Sequence, residues 1–328
     1  MASGPQCADT VGVEEEFLLV DTASGRTAVR ADAVLARVQD TELTKFHAEL
    51  AGTQVEAATG PCTSVSDLGD ALRQARTTLA KAADEVRLGL LSRGTPPKPS
   101  KQPIVSHDNP RFRRVLDTYA GVVEHYEACG CHVHVGVPDR ETGVRVLNHV
   151  RPWLPTLLAL SANSPDNGYA SWRMVQQSRF PGSGVPPVLA NAADYDARVA
   201  RMVSCGTLVD RAQSFWLARL SPKLPTVEFR VADAAATVED AVLQAALSRA
   251  LVHTACLGAE TRPVRDDVCA AAVWAASRYG LDGAGVDPWR ECRVPATALL
   301  DALLEHVTPA LEARGELTLV HDLVERRV

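Results

Sequence analysis

The segment VGVEEEFLLVD (residues 11–21) decides the fold class of this chain, because its polar and apolar residues alternate as in a half-buried β-strand. We predict a strand from Thr10 to Val20. Successive side chains of a strand point to opposite faces, so Glu14 and Glu16 share one face and Glu15 points to the other. Two unpaired carboxylates on one face repel each other, so a cation between them is the economical explanation. A solvated acidic edge strand is the alternative.

Three further segments show the same division into one polar and one apolar face. They are predicted as strands at Gly52 to Gly60, Gly130 to Val137 and Pro225 to Ala232. Their polar faces carry Gln54 and Glu56, then His132 and His134, then Glu228 and Arg230. An ordinary solvated surface is not composed in this way. The sequence therefore predicts a functional site on one face of the sheet.

The residue types on this face favour a hard cation. Carboxylate oxygens with an occasional imidazole suit Mg²⁺ or Mn²⁺, and Mg²⁺ commonly bridges carboxylates to substrate phosphates. The pair His132 and His134 also suits a zinc hydrolase, which stays open as an alternative. We expect Arg230 to meet a phosphoryl group, and an ion pair with Glu228 is its structural alternative.

Helical periodicity and chain breakers organise the rest of the chain. We predict a long amphipathic helix over Ser66 to Arg93, capped by Ser64 or Ser66 and stopped at Gly94. Further helical stretches are predicted at Thr142 to Ser161, broken near Pro152 and Pro155, at Val238 to Gly258, and from Asp266 onward. Loops are predicted at Gly94 to Pro110 and Pro181 to Pro187.

Composition excludes several classes of protein. Of the 328 residues, 34 are basic and 40 acidic, and no Lys/Arg block exists to neutralise phosphates, so nucleic acid is not an expected partner. No apolar run approaches the ~20 residues of a membrane span, and no basic segment followed by an apolar stretch opens the chain, so we expect a cytoplasmic protein. The eight cysteines match neither a disulfide scaffold nor a zinc ribbon, which predicts reduced thiols.

Six segments in order resemble the carboxylate–amine ligases of the glutamate–cysteine ligase type 2 family. These segments are VGVEEEFLLVD, QVEAATGPC, CGCHVHVGVPD, LALSANSP, NGYASWR and PTVEFRVAD. The resemblance implies an α+β, glutamine-synthetase-like fold, in which a curved, mostly antiparallel sheet forms a funnel and helices pack on its outer face. It also implies one catalytic domain over residues 1–328, with the motifs at 10–255 and helical support at 260–328.

The resemblance also implies roles for individual residues. The expected metal ligands are Glu14, Glu16, Glu49, Glu56, His132 and Glu228, and Glu49 is equally well explained as an exposed loop acid. Arg230 matches the phosphate-contacting arginine, and His134 and Arg219 are the other residues expected to bind the nucleotide. Arg230 and Glu56 are the expected catalytic residues. Arg173 and Tyr169 are the expected substrate contacts. ATP and Mg²⁺, or Mn²⁺, are the implied cosubstrate and cofactor, and a homo-oligomer, a dimer, is expected.

The implied reaction has two steps, and the sequence departs from the family in its loops. The carboxylate would attack ATP to form an acyl phosphate, which an amine would then displace. Only Asp166 and Asn167 stand where the family usually carries a longer insertion, and Leu217 and Leu220 replace an expected acid and an expected proline. Because loops carry specificity, we expect the reaction type to survive with a different substrate pair. A metal-dependent amide hydrolase and a catalytically degenerate binding protein remain the alternatives.

Overall fold

A computed structural model describes residues 7–104 and 109–327 of the chain. Its strands are β1 (Val11–Asp21), β2 (Thr44–Ala48), β3 (Gln54–Thr59), β4 (Leu88–Leu91), β5 (Gly130–Gly136), β6 (Ala218–Leu220), β7 (Thr226–Asp233), β8 (Ala284–Asp287) and β9 (Cys292–Pro295). Its helices are α1 (Ala31–Leu35), α2 (Val65–Asp84), α3 (Pro110–Tyr119), α4 (Arg140–Val150), α5 (Leu154–Ser161), α6 (Trp172–Gln177), α7 (Ala192–Ser204), α8 (Val238–Cys256), α9 (Asp266–Tyr279), α10 (Ala296–Ala313) and α11 (Leu317–Arg327).

Seven strands form the main sheet, and every pairing within it among the described residues is antiparallel. The order is β2-β3-β1-β5-β7-β6, with β4 paired to the end of β1. The strand β1 is long enough to pair with β5 through its first half and with β3 and β4 through its second half. It therefore stands at the centre of the polar face. The strands β8 and β9 form a separate hairpin.

Helices cover the apolar face of the main sheet. The alternate side chains Val13, Val133 and Phe229 are at most 1% exposed and belong to one core with residues of α4, α5 and α8. A second core packs Phe17 and Val55 against α2. Because these faces are sealed by helices, the other face of the same strands is left for polar side chains.

The four strands predicted from alternation are confirmed to within two residues at either end. The break near the two prolines is confirmed, since α4 ends at Val150 and α5 begins at Leu154. The prediction of one helix to Arg93 is wrong. The helix α2 is capped by Ser64 as expected but ends at Asp84, and Arg87 then takes a left-handed conformation, with φ of 61°, before β4 begins.

The structure also contains elements for which the sequence made no prediction, namely α1, α3, α6, α7, β2 and β6. The helices α8, α9, α10 and α11 lie where helices were predicted, but the β8–β9 hairpin interrupts the C-terminal region. Reduced thiols throughout were wrongly expected, because the structure joins Cys7 and Cys256 in a disulfide. Positions 105–108 of the predicted loop at Gly94 to Pro110 lie outside the described residues. Among the described helices none has the length and apolarity that crossing a membrane requires.

Candidate active site

The polar face brings together side chains from four strands and one loop. Strand register places Glu14 opposite His132 of β5 and Glu16 opposite Glu56 of β3. On the other side of β5, His134 lies opposite Glu228 of β7. Residues that face each other on one side of adjacent antiparallel strands are close neighbours, so the alternation of each strand adds up to one continuous polar surface.

Three groups on this surface have the geometry of a cation site. They are Glu14 with His134 and Glu228, Glu14 with Glu56 and His132, and Glu16 with Glu49 and Glu56. Within each group, one potential ligand atom from each residue lies within 4.8 Å of the others. All six predicted ligands belong to these groups. The structure adds His134, which the sequence had assigned to the nucleotide.

Two histidines flank the carboxylate of Glu14. The Nδ1 atom of His132 lies 3.5 Å from one of its oxygens, and the Nε2 atom of His134 lies 3.3 Å from the other. Burial alone would raise the pKa of Glu14, but the two imidazoles hold it well below its usual range. Burial, together with the charge of Arg230, lowers the pKa of His132 to about 4, so its ring is neutral and can act as a ligand.

The acidic trio formed by Glu16, Glu49 and Glu56 has the opposite electrostatic character. Burial and the charge of Glu49 raise the pKa of Glu16 to about 8. Burial and the neighbouring carboxylates raise the pKa of Glu56 well above its usual range, and burial also raises that of Glu49. Without a cation, burial and mutual repulsion favour the protonated form of these carboxyls, whereas a divalent cation would allow them to ionise together.

Glu228 is held by two arginines. Arg219 donates two hydrogen bonds to it, at 2.8 and 3.0 Å, and Arg230 donates one at 2.5 Å. These cations outweigh burial and keep the pKa of Glu228 well below its usual range. The ion pair weighed as the alternative role of Arg230 therefore exists. It leaves the Arg230 side chain 21% exposed, with its buried Nε atom lacking a hydrogen-bond partner, so the guanidinium still faces the polar surface.

The two remaining arginines are both buried, and both donate to backbone carbonyls. Arg219 also donates to the carbonyls of Ala212 and Ser214 and is 8% exposed, so it holds Glu228 in place. Arg173 is 3% exposed, and its guanidinium donates to the carbonyls of Arg230 and Val231. Its guanidinium borders Gly130 on the same face as His132, where its charge opposes the rise in the pKa of Glu16.

Tyr169 is not brought together with the other candidates. It lies in a tight turn that pairs it with Asp166, where Asn167 and Gly168 take left-handed conformations. Its ring packs against Trp172 and lies under the guanidinium of Arg278 on α9, which also donates to the carbonyl of Gly168. The contacts of Tyr169 therefore fasten the shortened turn to α9.

The departures at Leu217 and Leu220 are also explained by packing. Leu217 is fully buried and Leu220 is 5% exposed, and both belong to the main core. The carbonyl of Leu217 accepts a hydrogen bond from the backbone N–H of Arg230, so this segment supports β7 from its edge.

Sequence reasoning missed two residues that bear on the site. Arg76 of α2 forms a two-pronged ion pair with Glu15 behind the sheet, at 2.6 and 3.0 Å. His47 of β2 is exposed and lies directly opposite Glu56. The alternation of TKFHA could have revealed β2, but five residues are too few for a period of two to be distinctive.

The donor set fits a divalent cation on structural grounds alone. Carboxylates dominate the three groups, and the buried Nε2 atom of His134 has no hydrogen-bond partner although it lies among carboxylates. An orphaned imidazole nitrogen beside several acids is well explained as an available ligand. Glu14, Glu16, Glu49, Glu56, His132, His134 and Glu228 would hold the ion or ions.

Comparison with sequence families and known relatives identifies one family. The model of glutamate-cysteine ligase family 2 matches residues 10–328. A Saccharopolyspora erythraea protein provisionally named glutamate–cysteine ligase 2-2 is 53% identical over 326 residues, which cover 95% of this chain and 83% of that protein. A Nocardia farcinica protein provisionally named glutamate–cysteine ligase 2-1 is 44% identical over 325 residues, covering 96% and 84%.

Solved structures share the fold at low sequence identity. A glutamate–cysteine ligase from Francisella tularensis, in complex with AMP, superposes with a TM-score of 0.69 at 13% identity and covers 99% of this chain and 82% of its own. The ligase PafA, in complex with the ubiquitin-like protein Pup, gives 0.54 at 15% identity, covering 97% and 63%. The predicted α+β, glutamine-synthetase-like fold class is confirmed.

Proposed function

The chain belongs to glutamate-cysteine ligase family 2, and on that premise we propose that it is an ATP-dependent carboxylate–amine ligase that activates its acid as an acyl phosphate. Membership makes it an enzyme that forms carbon–nitrogen bonds. The observation that carries the finer proposal is the set of three overlapping cation groups on the polar face, with Arg230 beside them. A triphosphate needs such a surface, since its charge must be neutralised before a carboxylate can attack it.

Each group of residues has a distinct task in the proposed reaction. Mg²⁺ or Mn²⁺, when bound, would supply a Lewis acid for the phosphate oxygens. Glu228 orients Arg230 through a 2.5 Å hydrogen bond, and Arg219 holds Glu228 in turn. The exposed part of the Arg230 guanidinium would then stabilise negative charge that develops on the transferring phosphoryl group.

The remaining tasks in the proposed reaction are to position the ligand set, the strand that carries Arg230 and the amine. Glu56 occupies two of the three cation groups, so it would hold the ligand set together between β1 and β3. Arg173 donates to the backbone carbonyl of Arg230 and so fixes the strand that carries the phosphate contact. An amine held beside the acyl phosphate would attack its carbonyl carbon and release phosphate. Holding the two reactants together lowers the barrier to this step strongly.

The substrate pair is proposed to differ from glutamate and cysteine. The shortened turn at 165–169 is fastened to α9 by Arg278, whereas a longer insertion could extend over the polar face. Loops on a rigid scaffold set specificity, so a change in the length of this turn is expected to change the substrates that bind. A cytoplasmic location, a homodimer and the lack of a nucleic-acid partner remain predictions from the sequence.

The test is a product assay on the purified protein. The protein is incubated with ATP, Mg²⁺ and pooled amino acids and amines, while phosphate release and new amide masses are followed. We expect one ADP and one phosphate for each amide. In Glu56→Gln and Arg230→Ala the rate should fall by about 10²-fold or more, the usual effect of removing a preorganised charge. Glu312→Gln, an exposed acid on α10, should retain full activity.

Three outcomes would overturn the proposal. AMP and pyrophosphate as products would replace the acyl phosphate by an acyl adenylate. Amide hydrolysis without ATP would favour the metal hydrolase. Unchanged turnover in a folded Glu56→Gln variant would remove the cation groups from the mechanism.

A further inference from the structure

A cavity of about 370 Å³ lies in the helical part of the molecule. Its described lining includes His149 at the end of α4, Trp153 before α5, Trp289 in the β8–β9 turn and His306 of α10. None of the candidate active-site residues lines it. A volume above about 300 Å³ is typical of sites that enclose a small molecule. Sequence reasoning assigned this C-terminal region to structural support alone.

Four rings form the walls of this cavity. The rings of Trp153 and His306 are stacked, with centroids 4.8 Å apart and planes 20° apart. His306 is stacked in turn on His149, at 5.1 Å and 27°. Trp289 meets Trp153 edge-on at 5.0 Å. The faces of His306 are covered by Trp153 and His149, so a planar ring in the cavity would meet the half-buried Trp289 and the edges of the stack, and edge-on ring contacts are favourable.

The histidine wall is neutral and has hydrogen-bonding capacity to spare. The Nε2 atoms of His149 and His306 are 3.0 Å apart, so one donates to the other. Burial and the neighbouring His306 lower the pKa of His149 to about 4, and burial lowers the pKa of His306. The buried Nδ1 of His149 and Nε1 of Trp289 have no hydrogen-bond partner among the described residues. Unpaired buried groups of this kind are uncommon and are available to a ligand.

Charges of both signs line the mouth. The guanidinium of Arg262 lies 5.1 Å from the centroid of the Trp289 ring, and Glu260 and Glu305 are exposed nearby in the lining. An arginine binds a carboxylate, and a glutamate binds an ammonium group. A metal ion is the weaker explanation, because the described groups of three potential ligands all lie on the polar face of the main sheet.

We propose that this cavity binds a free α-amino acid with an aromatic side chain. Arg262 receives the carboxylate, Glu260 and Glu305 receive the ammonium group, and the side-chain ring lies against Trp289 and the edges of Trp153 and His306. The site is separate from the polar face that carries the proposed ligase activity. Binding therefore survives the loss of that activity.

Binding is tested by calorimetry and thermal shift on the full chain, without ATP or metal. L-Tryptophan, L-phenylalanine, L-tyrosine and L-histidine are compared with L-leucine, tryptamine and indole-3-propionate. We expect saturable binding of at least one aromatic amino acid. Leucine, which lacks the ring, and the two analogues, which each lack one charge, should bind about tenfold more weakly or worse, since one charge-assisted hydrogen bond has about that value.

Variants locate the site. Trp289→Leu and Arg262→Gln should each weaken binding about tenfold or more, whereas Arg290→Gln, which removes the same charge next to the cavity, should not. Glu56→Gln should bind as the wild type does, which separates this site from the substrate site on the polar face. No saturable binding of any aromatic amino acid would overturn the proposal. Equal binding of tryptamine, binding unchanged in Trp289→Leu, or binding lost in Glu56→Gln would do so as well.

Discussion

Removing Arg76 should destabilise the protein far more than removing any ordinary surface arginine. The carboxylate of Glu15 is 2% exposed and receives two hydrogen bonds from Arg76, at 2.6 and 3.0 Å. The same guanidinium donates to the carbonyls of residues 235–237 ahead of α8 and lies over the ring of Phe17. Breaking a buried pair by removing one partner typically costs about 3–5 kcal/mol, because the other charge stays buried and uncompensated.

The assay is urea unfolding of Arg76→Met beside a matched control. Arg73 precedes Arg76 by one helical turn, and its 54% exposed side chain pairs with Asp70 and Glu239. Arg73→Met should therefore cost less than ~1 kcal/mol. For Arg76→Met, a loss of about 4 kcal/mol at a slope of about 3 kcal/mol/M lowers the urea midpoint by about 1.3 M.

A double variant separates the buried charge from the lost packing. Glu15→Leu combined with Arg76→Met removes both charges, so it should recover much of the stability that Arg76→Met loses. The reasoning is refuted if Arg76→Met costs no more than Arg73→Met. It is also refuted if the double variant is as unstable as the sum of its two single changes, since Glu15 would then not be the reason for the loss.

Three further predictions concern other parts of the molecule. Tyr169→Ala should leave kcat/KM within about threefold, because the ring contacts Trp172 and Arg278; steady-state kinetics checks this. The wild type should lose stability as pH falls from 6.5 toward about 4, because His149 binds its proton more readily in the unfolded chain. In urea unfolding, the free energy of unfolding of His149→Phe should decline less steeply over the same pH range. Reduction of the disulfide at Cys7 should lower the free energy of unfolding by about 2–4 kcal/mol, and a Cys7→Ser variant should not respond to reductant.

The sequence predicts the central strands well because each of them carries apolar residues on one face and polar residues on the other. The alternation in β1, β3, β5 and β7 records that asymmetry directly, so both the strand positions and the shared polar face could be inferred. The strands β2, β4 and β6 have three to five residues, which is too short for a period of two to stand out. The apolar spacing that predicted α2 also continued into Leu90, and neither glycine nor proline marks the end of that helix at Asp84.

Contacts between distant segments could not be read from the sequence. Nothing in the alternation of β1 shows that Glu15 has a partner 61 residues away in α2. Arg219 was recognised as a candidate, but its role depends on the register of β6 against β7, which places it opposite Glu228. Single-strand patterns assign a residue to a face. Tertiary packing decides whether its charge is already paired there or is left for a ligand.

The two ends of the polar face should respond in opposite directions when one glutamate is replaced by glutamine. Glu228 is compensated by Arg219 and Arg230, so Glu228→Gln leaves two cations without their acid and should cost about 3–5 kcal/mol. Burial and repulsion from neighbouring carboxylates instead raise the pKa of Glu56, so the folded chain must take up a proton there that glutamine does not require. In the absence of divalent cations, Glu56→Gln should therefore stabilise the protein.

Divalent cations should reverse the advantage of Glu56→Gln. A ligand that binds only the folded state stabilises the protein. Above the dissociation constant, this stabilisation grows with the logarithm of the ligand concentration. The wild type should therefore gain stability as Mg²⁺ or Mn²⁺ is added, and Glu56→Gln should gain little because it has lost a member of two cation groups. Urea unfolding with a chelator and with each cation measures both effects. A shift of the metal-free urea midpoint in the same direction for Glu56→Gln and Glu228→Gln would contradict this prediction. The two ends would then not differ in charge compensation, and the acidic trio would not be where the cation is needed most.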